Sequence, residues 1–102
     1  MKRSIRSLPL AALSARPEHV EALKALAHLS RLQAFFFLVR SGEVPAGEIQ
    51  EALGVPGPTL SHHLDVLRRA GLIRSRKEER FVYYSVRRDT AMELVRLLTA
   101  CC

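Results

Sequence analysis

Three groups of side chains in this sequence can do chemistry. Two adjacent thiols, Cys101 and Cys102, are its only cysteines. Sequence neighbours close no useful loop, so they cannot staple a fold. They offer a pair of soft donors and an oxidisable centre instead, and this usage fits a reducing compartment. Two adjacent imidazoles, His62 and His63, follow Thr59 and Ser61. Adjacent residues on a helix diverge by about 100°, and no third ligand is obvious, so a zinc site is not favoured. Ser61, His62 and His63 also make no catalytic triad, because they lie along one helix without a distinct orienting acid. Three cations, Arg76, Lys77 and Arg80, fall within five positions and suit phosphate. The only glycine-rich turn, Gly54-Val55-Pro56-Gly57, lacks the lysine of a phosphate loop. No enzyme is expected.

The chain of 102 residues is one domain's worth, and 48% hydrophobic with 25% charged residues is a folding composition rather than a disordered one. So short a domain buries a modest core, which oligomerisation commonly supplements. The net charge of +6 points to a polyanionic partner, nucleic acid before anionic membrane. No run of 18 apolar residues exists, so no membrane span is expected. The patch from Leu8 to Leu13 is broken by Pro9 and Ser14, and Arg16, Pro17 and Glu18 follow at once. A secretion signal is therefore rejected and a cytoplasmic location expected. Residues 1–16 read as a basic arm and residues 17–102 as the domain.

The elements that must position these groups follow from periodicity and punctuation. Pro17 and Glu18 open a helix, with Val20, Leu23, Leu26 and Ala27 at helical spacing. A second helix from about Ser30 through Val39 carries Leu32, Phe35, Phe36 and Val39 on one side and ends at Ser41-Gly42. Residues 43–47 form a connector. A brief helix from Ala46 to Leu53 is followed by the glycine turn, and Pro58 starts a helix with Leu60, Leu64 and Leu67 as its buried stripe. After Gly71, Leu72–Ser75 and Phe81–Val86 are β-like. A last helix begins near Asp89 as N-cap, with Ala91, Leu94, Val95 and Leu98 on its apolar face.

A short helix, a glycine turn and a second helix make the helix-turn-helix plan, with Gly54 and Gly57 as candidates for a positive φ or a close approach. With the leucine stripe turned inward, Thr59, His62, Asp65 and Arg69 point outward, Ser61 and Arg68 flank one side and His63 the other. Thr59, Ser61 and His62 sit at the N-terminal end, which normally enters the major groove, where short polar side chains reach base edges or phosphates. Arg76, Lys77 and Arg80 at the hairpin tip form a wing that adds phosphate contacts. The DNA-contacting set expected is thus Thr59, Ser61, His62, His63, Arg69, Arg76, Lys77 and Arg80. The fold class is mainly α (α+β), a winged helix-turn-helix in the order ααααββα.

Residues 23–28, with Arg31-Leu32 after them, resemble the opening signature of ArsR/SmtB-type repressors. Residues 59–64 and 67–73 are similar to that family's recognition helix and its exit into the wing, and Tyr83-Tyr84-Ser85-Val86 matches its second wing strand. The resemblance covers roughly residues 18–98. It implies a homodimer paired through the first and last helices, bound to double-stranded operator DNA and released by a metal, metalloid or other effector. Both familiar sensor sites of that family are missing. Residues 43–48 hold no thiol, and the last helix has Asp89 and Glu93 but no histidine.

Cys101 and Cys102 remain as the expected effector site. Inorganic arsenite prefers three thiolates, whereas methylarsenite already carries one carbon and is completed by two. A trivalent arsenical is therefore the expected inducer, with arsenite or antimonite served by a third ligand from the partner chain or from water. No cofactor is expected for folding. Redox sensing by the same thiols is the rival. A pure protein-interaction module, burying Phe35-Phe36-Phe37 and the last helix against a partner, is the other alternative. In the coupling expected, the last helix sets the spacing of the two recognition helices near one DNA turn, about 34 Å. An ion bound there tilts it only by preferring the DNA-free state.

Overall fold

Residue Pro17 presets the first helical φ and gives up only a donor that would have no partner there. From it runs α1 (Pro17–Leu26) in the computed structural model, which describes residues 15–100. The remaining elements are α2 (Leu29–Ser41), β1 (Val44–Pro45), α3 (Ala46–Leu53), α4 (Gly57–Arg69), β2 (Ile73–Glu78), β3 (Phe81–Val86) and α5 (Arg88–Thr99). Residues 1–14 of the basic arm and both cysteines lie outside the described residues. No single described helix is long and apolar enough to cross a membrane.

Local chemistry sets most of the boundaries. The backbone N–H of Arg16 donates to His19 Nδ1 at 3.0 Å, closing the start of α1. His28 caps α2 by accepting from Ser30 N–H at 3.2 Å. The two helices meet at 98°, and Arg31 Nε spans the corner to the carbonyl of Ala25 at 2.7 Å. At the end of α4, Gly71 adopts φ +80. Its N–H bonds the carbonyl of Arg68, and Leu72 N–H bonds that of Leu67. This is a Schellman closure, sealed by two leucines with no exposed surface.

The core lies where α2, α3, α4 and the start of β2 converge, with Leu38, Ile49, Leu64, Leu67, Leu72 and Ile73 fully buried. The leucine stripe of α4 is buried as expected. Two other faces differ from expectation. Helix α2 turns Ala34, Phe35 and Leu38 inward and leaves Phe36 and Val39 exposed. Helix α1 buries His19, Ala22 and Ala25, while Val20 and Leu23 stay outside. In both helices alanines, Ala22 and Ala25 in one and Ala34 in the other, stand on the packed side.

The sheet has three antiparallel strands in the order β1–β3–β2, not two. The extra strand is half of the expected connector: Val44 pairs with Tyr84 and Pro45 with Tyr83. Pro45 can stand there because β1 is an edge. The hairpin is also longer than expected. Strand β2 runs to Glu78, so Arg76 and Lys77 belong to the strand and only Glu79-Arg80 turn. Asp89 is not the N-cap of α5: Arg87 holds that position, and Asp89 stands in the first turn, where a carboxylate complements the helix dipole.

Candidate nucleic-acid interface

Helices α3 and α4 flank a turn of three residues, Gly54, Val55 and Pro56. Gly54 closes α3 in the left-handed region, at φ +67 and ψ 30. Gly57 does not share that role. Its φ is ordinary, and an added Cβ would meet only the Gln50 side chain at 3.6 Å, an ordinary contact. One glycine therefore makes the turn.

Of the expected contact residues on α4, Thr59, Ser61 and His62 are exposed at its N-terminal end. Arg69 is exposed but paired: the Asp65 carboxylate takes Arg68 Nη2 at 2.7 Å and Arg69 Nε at 2.9 Å. Two cations near the C-terminal end of the helix thus share one anion.

His63 is corrected from flank to interior. Only 6% of it is exposed, and its ring packs tilted against that of His28, with centroids 4.7 Å apart and planes at 53°. Its position beside Leu64 puts it on the packed side, against the corner of α1 and α2. His63 Nδ1 is buried without a hydrogen-bond partner among the described residues. Burial, and then the positive fields of His28, Arg31 and His62, push its pKa below the ordinary histidine value. The imidazole is held neutral and away from solvent. His28 is the third histidine that sequence reading missed, because its proximity depends on the 98° corner. Among the described residues no three of His, Cys, Asp or Glu come together in a way that could hold a metal ion.

The wing divides its cations. Lys77 and Arg80 are exposed and form no ion pair among the described residues; the Arg80 guanidinium lies 5.7 Å from the Phe81 ring centroid. Arg74, not singled out in the sequence, is exposed on β2 as well. Arg76 is engaged on every side. Its Nε and Nη2 grip the two oxygens of Glu43 at 3.1 and 2.9 Å, and Nη1 reaches Glu78 at 3.0 Å. The guanidinium stands 4.9 Å from the centroid of Tyr83. These bonds raise the pKa of Arg76 further and lower that of Glu43.

A helix-turn-helix with an outward recognition face and a cationic wing now stands in known company. A family model described as a helix-turn-helix domain matches residues 26–76. A biofilm growth-associated repressor of Agrobacterium fabrum is 38% identical over 97 residues, covering 94% of this chain and 82% of its own. The chain belongs to the ArsR/SmtB family of helix-turn-helix transcriptional regulators. Reduced HlyU from Vibrio cholerae superposes with a TM-score of 0.65 at 38% identity, covering 80% of this chain and 88% of that one. A protein described as a possible transcriptional regulator for arsenical resistance superposes at 0.71 with 29% identity, covering 78% and 82%. The winged helix-turn-helix fold of this ArsR/SmtB-family chain is shared with both.

Two further helices leave large apolar side chains exposed in this family member. Helix α5 buries only Leu94 and leaves Met92, Val95 and Leu98 about half exposed or more, while α1 leaves Val20 and Leu23 outside. The same two helices are joined by Glu93. Its carboxylate takes His19 Nε2 at 2.5 Å and the guanidinium of Arg16.

Proposed function

We propose that this chain represses transcription as a homodimer on operator DNA and is released when a trivalent arsenical, methylarsenite best of all, occupies Cys101 and Cys102. The observation that carries the DNA reading is the exposed N-terminal end of α4, with Thr59, Ser61 and His62, together with a wing whose Lys77 and Arg80 are exposed and form no ion pair among the described residues. Short polar side chains there reach base edges, and the wing cations reach phosphate. Rows of large apolar side chains exposed on α1 and α5 support pairing through those helices. The relative tied by name to arsenical resistance supports the effector class, and the donor set favours an ion that needs two thiolates rather than three.

A second reading has its own support. A relative at 38% identity is described in a reduced form, and vicinal thiols that follow α5 in sequence also suit a redox signal. In that case two thiolates lose two electrons to a peroxide, which becomes water, and a disulfide forms. One release assay separates the readings, with arsenite, methylarsenite, zinc, cadmium and peroxide added to the operator complex. Release by methylarsenite under full reduction supports the arsenical, and release by peroxide alone overturns it. A Cys101→Ser/Cys102→Ser variant that still responds to arsenicals removes the thiols from both readings.

A further inference from the structure

Arg76 belongs to the cations that sequence reading assigns to DNA, yet all three of its guanidinium nitrogens are already held by carboxylates. The sheet register explains how. Pro45, Tyr83 and Arg76 lie in one row across β1, β3 and β2. Glu43 stands two residues before Pro45, and Arg76 reaches it over the ring of Tyr83. The side-on pair therefore bridges the two outer strands across the central one. Strand β1 is only two residues long, and α3 begins at the very next residue, Ala46. Whatever holds β1 to the wing also sets the wing against the helix-turn-helix.

We propose that Arg76 is a positioning residue, not a phosphate contact: clamped by Glu43, it fixes the pitch of the wing relative to α3 and α4. The clamp decides whether Lys77 and Arg80 reach the backbone while α4 lies in the groove. The proposal rests on the DNA-binding reading for its consequence, and on the geometry of the pair for its existence.

The charges make the test sharp. A carboxylate near DNA repels it, so deleting Glu43 should tighten binding if electrostatics alone matters. A clamp demands the opposite sign. Lysine keeps the charge of arginine but not its two-pronged grip on a carboxylate. The probe is a duplex enriched from a random-sequence pool by the wild-type chain, titrated over a range of salt. Glu43→Gln, Arg76→Lys and Arg76→Gln should each weaken binding about two- to fivefold, the size of an exposed ion pair, with unchanged melting temperature and salt slope. Glu43→Gln/Arg76→Gln should be no weaker than either single variant. Tighter binding by Glu43→Gln, full binding by Arg76→Lys and a salt slope about 0.9 shallower for Arg76→Gln would make Arg76 a phosphate contact and overturn the clamp. Amide exchange without DNA gives an arm independent of the DNA reading. Glu43→Gln should speed exchange in the β1–β3 pairing at Val44 and Tyr84, and unchanged exchange overturns the clamp. A wild-type chain that enriches no duplex defeats the DNA reading, while the exchange arm still decides the clamp.

Discussion

His19 and Glu93 lie 74 positions apart, yet Nε2 of one is 2.5 Å from the carboxylate of the other. His19 Nδ1 accepts from the Arg16 backbone, so the proton of the neutral ring sits on Nε2 and is donated to Glu93. The imidazole is buried and both its nitrogens are used. The bond from His19 holds the Glu93 carboxyl below its ordinary value, helped by the charge of Arg16. A depressed carboxylate contributes stability above its unfolded pKa and loses it as pH falls through the folded one. Melting of the wild type should therefore exceed that of Glu93→Gln at pH 7, with the gap closing as pH falls below about 4.5, the ordinary value. A gap of constant size from pH 7 to pH 3 contradicts this account.

Stability should also respond to His63, over a different range. Its pKa is lowered by burial first, so the unfolded chain takes up a proton before the folded one does. Stability is then full above about pH 6.5 and falls as pH drops from there toward the folded pKa. His63→Phe keeps the ring and removes the unpartnered Nδ1. Thermal melts between pH 7.5 and 5 should show a decline in the wild type that His63→Phe lacks. Equal declines in both proteins would place the acid sensitivity elsewhere.

Gly54 in the turn and Gly57 at the start of α4 should behave oppositely. At Gly54 nothing lies within 4 Å of an added Cβ, but φ is +67, so Gly54→Ala meets backbone strain of about 1–2 kcal/mol. Gly57 carries no such φ, and Gly57→Ala should be neutral or stabilising by about 0.5 kcal/mol through the unfolded chain. Urea unfolding of the two variants measures both, and equal losses would contradict the assignment of the turn to Gly54.

The exposed rows on α1 and α5 give the assembly test. Val95→Glu and Leu98→Glu alter side chains that are 52% and 62% exposed, so the fold of one chain should tolerate them. Sedimentation should then show a monomer in place of a dimer, with circular dichroism unchanged and duplex affinity reduced at least tenfold. Dimers that persist in both variants would move the pairing surface away from α5.

Much of the architecture was legible in the sequence. The stripe of Leu60, Leu64 and Leu67, the glycines at 54 and 71 and the β-rich segment at 81–86 are local signals, because periodicity and positive φ are properties of a few consecutive residues. They determined the helix-turn-helix, its exit and its wing, and with them the exposed Thr59, Ser61 and His62. Strand β1 was not legible. Two residues ending in proline have no strand signal of their own and pair only because Tyr83 and Tyr84 are brought beside them. His63 went inward for a similar reason. Its place on the helix put it on a flank, and the corner of α1 and α2 that covers it is built from residues more than thirty positions away. Arg76 was drawn as one more wing cation, since charge is visible in a sequence and a partner 33 residues distant is not. Which side chains share the buried face of α4 was settled by local spacing. Which of them remain free was settled by long-range contacts, because burial and ion pairing are properties of neighbours in space.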